Sequence, residues 1–329
     1  MRALVTTTIN PPTSAILAFA EFVTRNKDWV FIIVGDTRTP HDEYRSLASE
    51  NQRLVYLDPD RQADLLPELS DIIGWRSIQR RNLGFICAYH LGAELVATVD
   101  DDNVPLEDWG RDIFVGQDVE FDAYRNTSAD CFDPLSIAGY EGVWHRGYPL
   151  EYRDRRTDIE FLGKRTKRCL VQADLWNGDP DIDALVRIAR APEVDLSSMP
   201  RLYGSAQISP FNSQNTFIHR AAIPHYTVFP GVGRMDDIWG AYALQAVFPD
   251  SVLYHRSTVY HARNEQNLVA NLEDELLGYR QTGNFIKAGT EFSSLLPEKT
   301  QQFWRLYREA YADELLKGSI VSALSGRKP

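Results

Sequence analysis

Leu95-Val96-Ala97-Thr98-Val99-Asp100-Asp101-Asp102-Asn103 holds the fold in its pattern. Its first five residues are apolar or β-branched without alternation, which suits a strand covered on both faces, as in a parallel sheet. That strand runs straight into three aspartates. Toward the N-terminus the same unit recurs. Ala3-Leu4-Val5-Thr6-Thr7 is strand-like and leads to the Asn10-Pro11-Pro12 loop, after which Thr13 or Ser14 can cap a helix reaching Thr24. Trp29 to Val34 is a second continuous apolar run, stopped by Gly35-Asp36, and Leu54 to Leu57 is a third short strand. Arg76 to Leu91 carries Ile78, Leu83, Ile86, Cys87 and His90 near helical spacing. A β-α-β-α-β order implies a doubly wound α/β sheet, whose ligands sit beyond the carboxyl ends of the strands. Thr7-Thr8, Asp36 and the aspartate run all follow strands, so they converge on one edge.

Composition narrows the ligand. The 329 residues carry a formal net charge of −11, which disfavours sequence-independent nucleic-acid binding. An anionic ligand would have to be held by a metal and local arginines rather than by the overall field. No apolar run approaches the ~18 residues of a membrane span, and the N-terminus lacks the long apolar segment of a signal peptide. Cys87, Cys131 and Cys169 match no zinc spacing and cannot all pair. The expectation is a cytoplasmic protein with free thiols and no membrane span. A homo-oligomer stays open.

Three adjacent carboxylates at a strand end repel one another, and a divalent cation resolves the conflict. Mn²⁺ or Mg²⁺ suits oxygen ligands and commonly takes one or two carboxylates plus substrate phosphates. Side chains alternate along an extended chain, so Asp100 and Asp102 face one side and Asp101 the other. Asp102 is expected on the metal, Asp100 on the metal, a ribose or a bound water, and Asp101 on the metal or the sugar. Other nucleotide folds fit worse. There is no Gly-x-x-x-x-Gly-Lys-Ser/Thr phosphate loop, and Gly231-Val232-Gly233 breaks the dinucleotide fingerprint at Arg234.

Beyond Pro105 the pattern loosens into a stretch rich in Asp, Arg and aromatics. From Asn267 onward helical spacing returns through Leu268, Leu272, Leu276 and Leu277, then in a second segment from Pro297 to about Leu316. The expected organisation is an α/β domain over 1–265 with a C-terminal helical cap over 266–329 packed on it.

Four further segments resemble the plant UDP-arabinopyranose mutases (the reversibly glycosylated polypeptides) and the glycosyltransferase-like domain of the STELLO proteins. They are Arg81-Asn82-Leu83-Gly84-Phe85 with Val99-Asp100-Asp101-Asp102, Trp144-His145-Arg146-Gly147-Tyr148-Pro149, Pro210 to Thr216, and Met235-Asp236-Asp237-Ile238-Trp239 with Tyr260-His261 beyond it. The resemblance implies a GT-A fold, with a mixed, mostly parallel sheet flanked by helices. It implies that Thr7, Thr8 and Asp36 hold the nucleoside, that Arg81 approaches the diphosphate, and that Arg146, Asn212, Asn215 and Trp239 belong to the sugar-nucleotide pocket. Trp144 is a further candidate for stacking on a sugar. Asp236 or Asp237 would be the general base, and His261 a last metal ligand. Arg153 keeps the spacing of the arginine that becomes glycosylated in the mutases, although arginine is a poor nucleophile and a phosphate-binding role for Arg153, Arg155 or Arg156 is physically easier. The leading expectation is a metal-dependent, inverting glycosyltransferase. Its donor would be a nucleotide-diphosphate sugar, with UDP the expected nucleotide, and its acceptor a carbohydrate or other hydroxyl. A pyranose–furanose mutase using Arg153 and a non-catalytic nucleotide-sugar binder are the alternatives.

Overall fold

The computed structural model describes residues 1–190, 192–262 and 266–325. One mixed sheet organises them. Its strands are β1 (Arg2–Thr8), β2 (Trp29–Gly35), β3 (Leu54–Leu57), β4 (Leu95–Val99), β5 (Asn103–Pro105), β6 (Asp118–Asn126), β7 (Ile159–Arg168), β8 (Val171–Gly178), β9 (Tyr203–Gly204), β10 (Asn215–His219) and β11 (Val252–His261). The order is β3-β2-β1-β4-β10-β8-β11-β9-β6-β7, with β5 paired to β11. The first four are mutually parallel, β10 runs against them, and β8 and β11 are parallel to each other. This is the expected mostly parallel α/β sheet flanked by helices. The order reverses at β1, which leaves a crevice between the ends of β1 and β4.

The helices are α1 (Ser14–Arg25), α2 (His41–Glu50), α3 (Pro59–Leu65), α4 (Pro67–Ile73), α5 (Arg81–His90), α6 (Ala184–Ala189), α7 (Asp236–Val247), α8 (Leu268–Lys287), α9 (Glu298–Ala310) and α10 (Glu314–Ser325). Thr13 caps α1, its hydroxyl accepting from the Ile16 N–H, and Ile16, Phe19 and Val23 turn inward at helical spacing. β2 is buried along its whole length, as its unbroken apolar run predicts. At Gly84, α5 comes so near the sheet that a Cβ would lie 2.6 Å from a methyl of Val5.

Two helix expectations need correction. The segment expected to be helical from Arg76 starts its α-helix at Arg81, after a short 3₁₀ turn at Ile78–Arg80. Upstream, Arg76 sits at φ +60 and the Ser77 N–H donates to Asp36, so the backbone there is committed to a tertiary partner. The last helical segment breaks in two, because the Asp313 carboxylate accepts from the N–H groups of Leu315 and Leu316 and so starts a new helix. α8 and α9 join the same core as the sheet through Phe285, Phe303 and Tyr307, and α10 joins it through Ile320.

Candidate active site

A two-part cleft lies along the strand edge. Its first cavity, about 340 Å³, is walled by the ends of β1, β2 and β4. Ile9, Ile78 and Val34 supply apolar surface, Asp36 a carboxylate, and Arg38 and Arg76 cations at the rim. Ile9 and Ile78 are respectively 47% and 45% exposed, unusual for isoleucines and apt for sandwiching a flat ring. Asp36 itself is buried. Burial pushes its carboxyl up, but backbone N–H groups of Arg76, Ser77 and Thr37 outweigh that and hold it below the ordinary carboxylate range. It is therefore a fixed, ionised acceptor.

Asp100, Asp102 and Ile78 also line the second cavity, about 520 Å³, so the two halves meet at the aspartate run. The three side chains do part there, but through a turn rather than the expected extended chain: the Asn103 N–H donates to the Asp100 carbonyl at 3.3 Å. Asp101 turns toward β1, where it accepts from Thr8 Oγ1 at 2.5 Å and Asn10 Nδ2 at 3.0 Å, while its backbone carbonyl accepts from Thr13. It fastens the β4 end to the β1 loop and leaves Thr8 little for a ligand. Asp100 meets Arg81 at 2.5 Å. Arg81 is buried and also donates to the Ser213 carbonyl and hydroxyl at 2.9 and 2.8 Å. Its cation is thus largely spent inside the protein rather than presented to a diphosphate. Thr7 lines the first cavity as expected.

Asp102 is different. Its Oδ1 is buried with no hydrogen-bond partner, and its Oδ2 lies 3.4 Å from His261 Nε2. His261 Nδ1 sits 2.6 Å from the Asp179 carbonyl. A carbonyl only accepts, so Nδ1 carries the hydrogen, and in the neutral ring Nε2 carries the lone pair. A carboxylate and an imidazole lone pair then face each other, an arrangement a cation would relieve. Among the described residues no three His, Cys, Asp or Glu side chains form a ready metal cage. Asp102 and His261 are the residues that could hold a divalent ion here.

The second cavity is built on α7. Gly147, at φ +75, lets the chain pass over the first turn of α7, where any Cβ would strike Ile238 at 2.4 Å. This places the buried Arg146 guanidinium between two carboxylates. Its Nε and Nη2 reach Asp181 at 2.9 and 2.8 Å, and its Nη1 and Nη2 reach Asp237 at 3.0 and 3.3 Å. Nη1 also donates to the Arg234 carbonyl. Asp237 further accepts from the Ser213 N–H and hydroxyl at 2.9 and 3.1 Å. Burial pushes Asp237 up, but Arg146 and these donors reverse the shift and hold it low. Neighbouring Asp236 lies 3.9 Å from Arg146 and accepts from Gln79 Nε2 at 2.8 Å and the Asp237 N–H at 2.9 Å. Burial, then the Asp237 charge, pushes its carboxyl up to about 7. Two adjacent aspartates are thereby split into a fixed anion and a group poised to exchange a proton near neutrality.

Three expected site residues lie elsewhere. Asn215 is fully buried below the cleft, accepting from Trp109 Nε1 and donating to Leu175 O and Thr258 Oγ1, so its amide has no capacity left for a sugar. Trp239 is fully buried between α7 and α8, stacked on Phe285 at 4.7 Å with its N–H on Thr282. Arg153 is half exposed on a 3₁₀ turn, paired only with Asp154 among its described contacts, and lines a separate cavity. Asn212 stands next to the site but acts on Asp181, donating to its Oδ2 at 2.8 Å. Asp181 and Gln79 were not anticipated. Asp179-Pro180-Asp181-Ile182-Asp183 reads as an acidic turn, yet like the aspartate run it follows a strand end, and that placement is the signal that could have found it.

No protein-family model matches the chain. Two proteins of Arabidopsis thaliana are similar to it. One, named "Probable glycosyltransferase STELLO2", is 26% identical over 316 residues, covering 84% of this chain and 40% of that protein. The other, named "Probable glycosyltransferase STELLO1", is 25% identical over 218 residues, covering 60% of this chain and 27% of that protein. The chain thus spans less than half the length of the relatives it matches. Among solved structures it is similar to glucosyl-3-phosphoglycerate synthase from Mycobacterium tuberculosis in complex with Mn²⁺, UDP and phosphoglyceric acid. That match has a TM-score of 0.45 and 13% identity, over 88% of this chain and 78% of that one. Among the described residues no helix is long and apolar enough to cross a membrane.

Proposed function

We propose that this chain is a GT-A-type glycosyltransferase that takes a nucleotide-diphosphate sugar, with UDP as nucleotide, and transfers the sugar to a hydroxyl acceptor with inversion. The observation that carries the reading is the division of one cleft at Asp100 and Asp102 into a slot with apolar walls and a fixed acceptor, and a chamber with a proton-accepting carboxylate. The names of the two plant relatives support transfer as the reaction.

In this reading the first cavity binds the nucleoside. A uracil ring lies between Ile9 and Ile78, its N–H toward Asp36 and its carbonyls toward Arg38 and Arg76. Asp36 is an ionised acceptor, so it favours a base presenting N–H over one presenting a ring lone pair, which favours uracil over cytosine. Asp102 and His261 would hold the divalent ion. A mixed carboxylate–imidazole pair suits Mn²⁺ better than Mg²⁺, which prefers oxygen alone. When bound, that ion supplies charge neutralisation for the departing diphosphate.

The chain's own residues then act on the acceptor. Among the described residues the chamber's two guanidiniums are already paired, Arg146 with Asp181 and Asp237 and Arg234 with Glu275 at 2.8 Å, so it suits neutral hydroxyl donors. Gln79 and the Asp237 N–H orient Asp236, whose raised pKa lets it take the acceptor proton as the new glycosidic bond forms. A single base opposite the departing phosphate corresponds to one displacement and hence inversion. The three cysteines are free and buried, which supports a reducing compartment such as the cytoplasm. Arg153 lines neither half of the cleft, and that argues against a mutase that carries the sugar on it.

The test is turnover of UDP-sugars with Mn²⁺, by transfer or hydrolysis, in the wild type and in Asp236→Asn. Release of UDP that needs both the metal and Asp236 supports the reading. Tight nucleotide binding without turnover would make the chain a binder instead.

A further inference from the structure

A third cavity, about 560 Å³, opens away from the cleft and shares no lining residue with either half. Its walls include the half-buried rings of Tyr140 and Trp144 and the arginines Arg153 and Arg156. Arg156 is the unusual member. Only 6% of it is exposed, yet its described contacts are long: Nη2 to the Tyr140 carbonyl at 3.4 Å and Nη1 to Asp133 Oδ2 at 3.6 Å. A guanidinium has five N–H donors in a planar fork, and burying it with its donors so poorly used is costly. Asp133 is its buried ion-pair partner at 3.6 Å but makes no hydrogen bond to the fork. Its Oδ1 is taken by the N–H groups of Leu135 and His145, and its Oδ2 accepts no hydrogen bond.

Arg153 stands on the same wall, tied only to the exposed Asp154 at 3.3 Å. Exposed ion pairs of this sort contribute little, about 0–1 kcal/mol, so Arg153 is free to turn to a ligand. The lining also holds the carboxylates of Glu141 and Asp154, both exposed, so the cationic end is the buried fork of Arg156 with Arg153 beside it; that fork can take a carboxylate or phosphate in bidentate fashion while the two rings take a sugar face.

We propose that this third cavity is a second binding site, for an anionic sugar bearing a carboxylate or a phosphate, held by Arg156 and Arg153 and distinct from the catalytic cleft. It gives Arg153 a binding role in place of a covalent one. It also contrasts with the acceptor chamber, where among the described residues both lining guanidiniums, Arg146 and Arg234, are already paired with carboxylates. The function proposed for the cleft does not depend on it.

Calorimetry of the full chain with glucose 6-phosphate, glucuronate and glucose tests the proposal. The wild type should bind at least one of the two anions and not glucose. Which anion binds separates a phosphate ligand from a carboxylate one. Arg156→Lys keeps the charge but loses the fork and should weaken that binding about tenfold or more, the worth of one hydrogen bond to a charged group. Arg153→Glu should do the same from an exposed position, which keeps the test readable if the buried substitution disturbs folding. Absence of binding by both anions, equal binding of glucose, or wild-type affinity in both variants would overturn it.

Discussion

Asp100-Asp101-Asp102 and Asp236-Asp237 are the two places where this chain sets aspartates side by side, and the protein treats them in opposite ways. Just past the strand end, a turn closed by the Asn103 N–H on the Asp100 carbonyl sends neighbours apart. Asp101 becomes a staple to Thr8 and Asn10, Asp100 is paired with Arg81, and Asp102 keeps an unpartnered oxygen. At the start of α7, both side chains stay on the cleft side, and one arginine decides between them. Arg146 reaches Asp237 directly but comes no nearer than 3.9 Å to Asp236, so one carboxyl is held down and the other is pushed up. Adjacent aspartates are therefore not interchangeable, and position relative to a buried cation sorts their roles.

The largest expected effect falls on Asp236. Asp236→Asn removes the proton acceptor and should lower turnover by about 10²–10⁴ with nucleotide affinity unchanged, measured by steady-state kinetics beside a titration. The same residue should set the pH profile. Its folded pKa lies above its unfolded value of 3.8, so the folded state favours the protonated form. The stability this contributes is fully present at low pH and is lost as pH rises through about 7. The catalytic form is the ionised one, so kcat/KM should rise through that same range, and the limb should vanish in Asp236→Asn.

Asp237→Asn should act on the fold instead. It leaves Arg146 buried with one carboxylate fewer, a loss of about 3–5 kcal/mol in denaturant melts. If Asp237→Asn melted like the wild type and lost only turnover, the division of roles drawn above would be wrong. Asp101→Asn should cost less, about 1–3 kcal/mol, because it disturbs two hydrogen bonds at a partly open position. The smallest effect belongs to Arg153→Ala, which should stay within about 0.5 kcal/mol of wild-type stability with unchanged cleft turnover. A mutase built on Arg153 would instead lose its activity.

Much of the first half of the fold was legible because β1, β2 and β4 carry unbroken apolar or β-branched runs and each leads into polar residues. Strand type and the edge that the polar strand ends share follow from that pattern; the spatial strand order does not. The second half of the cleft was not legible in the same way. Asp181 sits in an irregular turn after β8, and nothing nearby marks Arg146, 35 residues earlier, as its partner. Trp239 and Asn215 lie in segments that match the family pattern, but a matched segment does not say which way a side chain points. Phe285 claims Trp239 from α8, and Trp109 claims Asn215 from beneath the sheet. These are long-range packing choices without a local signature. Arg81 illustrates the same limit: its helix position was right, and its charge was already committed to Asp100.

The most direct test is a calorimetric titration of UDP with and without Mn²⁺, on the wild type and on Asp102→Asn. The account predicts UDP binding that requires the metal and weakens about tenfold or more in the variant, as loss of an ionic ligand should bring. UDP affinity indifferent to both the metal and the substitution would contradict it, and would reduce the open carboxylate of Asp102 to part of an acidic turn.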